Sequence, residues 1–264
     1  MPSPAVTPEL GMASPYVPHL LLRWDEGGPR HRQVDGSLVS ADISGFTALS
    51  ERLAAYGREG AEELTVLLNR CFGPMIEIVE ARGGDVLKFG GDALLILFTG
   101  PDHTARAAGA CWRMRELIER TWSTPLVRRV ELGISQGIHS GTFDLHLVDG
   151  GHQELLVVGP GMTATVDCEG AAERGEILLS HAAAALLDDA VLGPSGEHGR
   201  PLTGDVGEYL WLVDDDTPSR TPAPFVPGWL KEQVAAGRVA EHRVVSVAFV
   251  FFGGLDDVLA AEGP

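Results

Sequence analysis

Cysteine is scarce in this chain of 264 residues, and the three present, Cys71, Cys111 and Cys168, are odd in number and widely spaced. No disulfide framework or zinc site is implied by that count and spacing, and a reducing cytoplasm fits. Basic residues are also few: 20 Lys and Arg stand against 37 Asp and Glu, a formal charge of -17. Such a balance repels phosphate backbones and anionic lipid, so no nucleic-acid partner and no membrane-surface role is expected. Long apolar runs are missing as well. None approaches the roughly 18 residues of a membrane span, and Val244 to Phe252 suits a buried strand instead. The amino terminus, Met-Pro-Ser-Pro, lacks the basic region and apolar core of a secretory leader. The expectation is a cytoplasmic globular protein.

What the chain does have is a pair of carboxylates, each interrupting an apolar, strand-like run. Asp42 lies in V-S-A-D-I-S-G-F-T and Asp92 in G-G-D-V-L-K-F-G-G-D-A-L-L-I-L-F. A charge in such a setting is costly unless something neutralises it, which points first to a bound cation. Leu38 to Ile43 reads as a buried strand, and Gly45 to about Ala81 as helix with a break near Gly57. Val86 to Phe89 and Ala93 to Phe98 meet at Gly90-Gly91, a hairpin signal. Strand, helix, hairpin opens a ferredoxin-like split β-α-β unit of an α+β fold, with an antiparallel-rich sheet flanked by helices. Its third strand runs antiparallel beside its first, which brings the end carrying Asp42 to the start carrying Asp92. Two carboxylates so placed suit Mg2+, which favours hard oxygen ligands and substrate phosphates. The turn Ser44 to Thr47, with unpaired amides at a helix start, suits a triphosphate. The reaction class is metal-assisted attack on a nucleoside triphosphate.

These residues resemble the class III nucleotidyl cyclases. The family's Asp-Ile-x-Gly-Phe-Thr turn is matched by Asp42 to Thr47, and its Lys-x-x-Gly-Asp hairpin by Lys88 to Asp92. Gly137-Ile138-His139-Ser140-Gly141 and Glu176-Ile177-Leu178-Leu179-Ser180 are similar, more loosely, to later strands, so the likeness runs from about Gly36 to Val213. The resemblance implies that Asp42, Asp92 and the Ile43 carbonyl bind Mg2+ or Mn2+. It implies that Gly45 and the Phe46 and Thr47 amides hold phosphate, and that ATP becomes cyclic AMP and pyrophosphate. It also implies a two-domain site, completed by a second cyclase domain in cis or by a homodimer partner. Lys88 would read the purine in a homodimer or line a degenerate site in a tandem pair, and a Lys here accompanies ATP rather than GTP.

The departures are specific. Thr163 stands where the family has an Asn and Asp167 where it has a transition-state Arg; Ser135 replaces a basic residue. An Asp repels the charge that builds on a transferring phosphoryl group. The metal half of a cyclase site is therefore expected, without its transition-state half, and weak or absent activity for this piece alone. Arg243 to Ala260 resembles the first strand and turn again, with Gly254 on Gly45 and Phe251 on Asp42. The expected division is an N-terminal extension (1–35), a cyclase homology domain (36–213), a Pro-rich linker (214–242) and the start of a truncated second cyclase-like domain (243–264). A non-enzymatic reading, a nucleotide-sensing or dimerising module, is motivated by Ser135, Thr163 and Asp167. A diguanylate cyclase, hinted at by Gly83-Gly84-Asp85, is opposed by the two metal motifs.

Further along, Leu64, Leu67, Leu68, Phe72, Met75, Ile76 and Val79 read as one buried stripe. His19 to Trp24, His103 to Trp122 and Trp229 to Ala236 read as helices, and Met1 to about Pro18 as flexible. Val130 to His139 and Thr142 to Val148 read as a hairpin turning at Ser140-Gly141, with Leu155 to Val158 as another strand. His139 reads as a satisfied strand residue rather than a metal ligand.

Overall fold

The structure, a computed structural model, describes residues 17–120, 122–209, 220–235 and 253–263. The fold is α+β. The chain divides into two compact units, one of Val34–Phe143 with Pro160–Asp214, the other of Met1–Gln33, Asp144–Gly159 and Asp215–Pro264.

In the first of these, β1 (His31–Ser44) leads through Gly45 into α2 (Phe46–Ala54) and α3 (Gly57–Glu80). The hairpin β2 (Gly84–Gly90) and β3 (Ala93–Thr99) follows, then α4 (His103–Ile118). After it come β4 (Gly133–Asp149), α5 (Pro160–Ala171), β6 (Ile177–Leu179), α6 (His181–Ala184) and β7 (Arg200–Pro201). The strand order is β2-β3-β1-β4-β6-β7, with β5 (Gln153–Val158) pairing β4. β1 and β3 are antiparallel, as the split β-α-β reading requires, with Leu38 opposite Leu97 and Asp42 opposite Ala93.

The core forms where the apolar face of this sheet meets two helices. Val39, Ala41 and Ile43 of β1 and Leu94, Ile96 and Phe98 of β3 pack with Leu67, Cys71, Met75 and Val79 of α3. Those four helix residues recur every four positions, one row along the helix. Ile78 rather than the expected Ile76 packs beside the row. α4 contributes Ala107, Cys111, Met114 and Ile118, small enough at its start for close approach to the sheet. All three cysteines are buried and unpaired, and burial pushes the Cys71 thiol up to about 12 and that of Cys168 to about 11.

Two expectations are corrected. Ser140-Gly141 is no turn: β4 runs unbroken through it. Ser140 is buried, and its hydroxyl bonds those of Ser37 (2.7 Å) and Thr104 (2.9 Å), with His103 Nδ1 2.8 Å from Ser37 Oγ. This buried polar knot ties β1, α4 and β4 and keeps the strand extended where Ser-Gly alone suggested a reversal. The chain reverses after Asp149, where the Gly150 N–H donates to the His152 carbonyl. Likewise α4 ends at Ile118, not Trp122. Trp122 bridges to Val130, and its indole N–H donates to the Ile118 carbonyl, closing the helix end.

The other unit holds α1 (His19–Leu22), the β4–β5 hairpin, α7 (Gly228–Ala235) and α8 (Leu255–Glu262). Trp24 anchors it, 1% exposed, with its indole N–H on the Pro29 carbonyl. The flexible stretch expected up to Pro18 and the strand-like run from Arg243 lie largely outside the described residues, as do residues 214–219 and 236–242 of the Pro-rich linker; the described part of that linker carries a helical turn, Ala223–Phe225, and α7. No helix among the described residues is long and apolar enough to cross a membrane.

Candidate active site

Asp42 sits near the C-terminal end of β1, and Asp92 in the turn that opens β3. The Ile43 N–H donates to the Asp92 carbonyl across the strand pair. Pairing thus brings together two residues 50 positions apart, at a hairpin tip where Gly91 takes φ +77°. The Asp42 carboxyl is raised above its ordinary value of 3.8, first by burial and second by the negative charge of Asp92. A raised carboxyl binds more protons folded than unfolded, so it makes stability fall as pH rises through the window above 3.8. Asp42→Asn removes that cost. We expect the metal-free protein to melt about 1–3 °C higher at pH 7, a small shift because the carboxyl is partly solvated. A lower melting temperature would mean that Asp42 is already stabilised by a partner.

Gly45 follows, in the left-handed region at φ +98° as the cap of α2, and no side chain caps that helix start. A Cβ on Gly45 would lie 2.6 Å from the Glu131 carbonyl, so the close approach and the backbone angle both demand glycine. Phe46 is buried and stacks on Phe72, with centroids 6.3 Å apart, which fixes the direction of the first turn. Thr47 and Ala48 are exposed, and the first-turn amides of a helix have no acceptor within it.

Lys88 lies on β2, the edge strand, just past a bulge at which the register shifts between Val86 and Lys88. Thr163 and Asp167 are one helical turn apart on α5, both exposed, while Thr165 and Cys168 of the same helix are buried. The His139 ring is bonded to Ser180 Oγ at 2.9 Å, and burial lowers its pKa, as befits a satisfied strand residue.

Sequence reasoning missed Glu169. It faces the site from α5, held by the Ser135 hydroxyl at 2.9 Å, and its carboxyl is raised by burial and by the charge of Asp42. α5 reaches the sheet this closely because of Gly137, whose added Cβ would be 2.2 Å from the Glu169 nitrogen. The small residues Gly133, Ser135 and Gly137, alternating along one strand, were the available signal. Among the described residues no group of three or more His, Cys, Asp or Glu is arranged to hold a metal by itself. What the arrangement offers is a carboxylate pair beside an uncapped helix start.

Residues 30–200 match the family described as the adenylate and guanylate cyclase catalytic domain. The chain belongs to this family. Human adenylate cyclase type 10 is 32% identical over 166 residues, 60% of this chain and 10% of the human protein. Adenylate cyclase 1 of Rhizobium meliloti is 28% identical, over 75% of this chain and 31% of its own length. The chain therefore spans a tenth to a third of these curated relatives. Among solved structures, the adenylyl cyclase CyaB from P. aeruginosa superposes with a TM-score of 0.52 at 25% identity, covering 64% of this chain and 87% of that one. A dimeric guanylyl cyclase domain from Blastocladiella emersonii superposes at 0.55 and 18% identity, covering 66% and 96%, a likeness of fold. The α+β sheet with flanking helices is thus that of cyclase catalytic domains.

Proposed function

We propose that this chain supplies the metal-binding half of a nucleotidyl cyclase site that converts ATP to cyclic AMP and pyrophosphate. The observation that carries the reading is the meeting of Asp42 and Asp92 at one end of the β1–β3 pair, with the Asp42 carboxyl raised by its neighbour's charge. The Ser44 hydroxyl beside them is buried with no hydrogen-bond partner among the described residues. An unrelieved carboxylate pair and an orphaned oxygen together fit a hard cation. Asp42, Asp92 and the Ile43 carbonyl would hold Mg2+ or Mn2+, which when bound lowers the pKa of the ribose 3′-hydroxyl and offsets the triphosphate charge. The Gly45 turn and the Phe46 and Thr47 amides orient the phosphates. Lys88 favours adenine over guanine by the family's habit.

The exposed Thr163 and Asp167 would face the complementary site, where they cannot serve a transition state. A second cyclase domain, in cis or in a partner molecule, has to bring the Asn and Arg. Gly254 supports the internal repeat: it caps α8 at φ +80°, as Gly45 caps α2 at +98°. The division into extension, cyclase domain, linker and second-domain start follows from that repeat, as does a cytoplasmic site of action from the cysteine usage.

The alternative, a regulatory module that has lost the reaction, draws on Ser135–Glu169, an acid where a cation is needed. One assay separates the two. The purified chain should make almost no cyclic AMP with Mg2+ or Mn2+. Mixed with a cyclase domain that carries the Asn and Arg but not the carboxylate pair, it should produce cyclic AMP and pyrophosphate in equal amounts. A silent mixture would favour the regulatory reading. High turnover by the chain alone would mean that Thr163 and Asp167 are no handicap.

A further inference from the structure

Outside the candidate active site, one cluster of titratable groups joins the start of β1 to the β4–β5 hairpin. The His31 and His146 rings are stacked, with 4.5 Å between centroids and 28° between planes. His31 Nε2 lies 2.8 Å from Asp144 Oδ1, and the Gln33 side-chain amide donates to the same oxygen at 3.0 Å. The other oxygen, Oδ2, lies close to Gly159, where an added Cβ would meet it at 3.4 Å. One carboxylate thus faces two imidazoles. His146 Nε2 is buried with no hydrogen-bond partner among the described residues. β1 and β4 are neighbours in the sheet, and the Leu147 N–H donates to the Arg30 carbonyl beside the cluster. Asp144 and His146 stand opposite Val158 and Leu156 of β5, so the cluster sits at the root of the hairpin. His31, Gln33, Asp144, His146 and Gly159 all belong to the same compact unit.

The groups that act on His146 are few. Burial pulls its pKa below 6.5, the charge of His31 pulls the same way, and Asp144 opposes both. The charged residues on the surrounding elements are engaged elsewhere or stand further off. On β1, Arg32 pairs with Asp25 at 2.6 Å, and Asp35 accepts from the Thr142 hydroxyl. Arg30 pairs with Asp149, and Glu154 of β5 with His152, each at 2.6 Å. α8, whose Leu259 approaches Gly159, carries Asp256, Asp257 and Glu262. A proton on each ring would set two cations face to face across 4.5 Å. It would also make the buried His146 Nε2 a donor with no acceptor. With its pKa lowered, His146 binds fewer protons folded than unfolded. Its contribution to stability is therefore whole above 6.5 and is lost as pH falls through the lowered value.

We propose that His31, Asp144 and His146 form a proton-operated clasp, closed at neutral pH and released in mild acid, that fastens the β4–β5 hairpin to β1. The hairpin carries the exposed apolar side chains Val148 and Leu156, so acid frees an apolar element from its mooring. The clasp uses no residue of the candidate cyclase site and stands whether or not the chain makes cyclic AMP. The test is amide hydrogen exchange of the purified full chain at about pH 7.5 and about pH 5.5, corrected for intrinsic exchange. Protection of the hairpin amides, residues 144–158, should fall in acid by on the order of fivefold. The amides of α3, in the other unit, should change by less than about twofold. His146→Phe keeps a ring against His31 without a titrating nitrogen. It should hold the hairpin's protection within about twofold over the same range. Where the phenylalanine variant does not fold, His146→Gln gives the same reading. His152→Gln removes the hairpin's other imidazole and should keep the native response. An acid loss that is absent from the native hairpin, or equal in α3, overturns the clasp. So does a full response in the His146 variants, or a response that disappears in His152→Gln.

Discussion

Asp92→Ala and Asp42→Ala, each in this chain paired with the domain that completes its site, are expected to abolish cyclic-nucleotide formation, by on the order of 10³-fold or more. A metal ion supplies several kcal/mol of charge stabilisation to such a reaction, and each 1.36 kcal/mol is tenfold in rate. Neither change should harm the fold. Asp92 lies in a turn, and its contact with β1 is made by its backbone carbonyl, which alanine keeps. Asp42 carries a charge that the native structure disfavours. If the two hold one ion, as proposed, the double variant should be hardly worse than either single one. The decisive comparison is turnover against Mn2+ and Mg2+ concentration, with the melting temperature as a check. Metal-dependent turnover that survives in either variant would refute the assignment.

Arg106→Met should have the largest effect on stability. Arg106 is 2% exposed, and burial pulls its pKa down against the opposing pull of Asp102. Its guanidinium donates to the carbonyls of Arg82, Gly83, Pro101 and Thr99. Those carbonyls belong to the turn from α3 into β2 and the turn from β3 into α4. One side chain therefore fastens both ends of the hairpin whose far tip carries Asp92. Methionine fills similar space without a donor, which strands several buried carbonyls at a cost of roughly 3–5 kcal/mol. The melting temperature should fall by on the order of 10 °C. Lysine keeps the charge but not the planar fork of five donors and should rescue only part of the loss. A fall of less than about 2 °C in the methionine variant would show that water or a shifted backbone satisfies those carbonyls as well.

The parts of this protein legible in its sequence are those governed by short-range periodicity. Val39, Ala41 and Ile43 alternate with polar neighbours, the α3 row repeats every four residues, and Gly90-Gly91 interrupts two apolar runs. From these alone the antiparallel neighbourhood of β1 and β3, and with it the approach of Asp42 to Asp92, could be laid out. What failed was punctuation read without its surroundings. Ser140-Gly141 looks like a turn until Ser37 and Thr104 claim the serine hydroxyl, an arrangement made by residues 36 and 103 positions away. Glu169 was harder to read for the same reason. Its meaning lies in the gap that Gly137 leaves on the strand packed beneath it, signalled only by the alternation of Gly133, Ser135 and Gly137 on β4 and by nothing within α5 itself.

The hydroxyl knot of Ser37, Thr104 and Ser140 has a consequence for inheritance as well as for folding. Each hydroxyl gives one bond and accepts others, so the three match in one alignment only. A slip of β1 by a single residue would turn Ser37 away and expose the alternate set of side chains. The strand is clamped five positions upstream of Asp42, roughly 17 Å along an extended chain. Insertions and rewritten loops elsewhere can then accumulate over generations while the acidic pair stays in alignment.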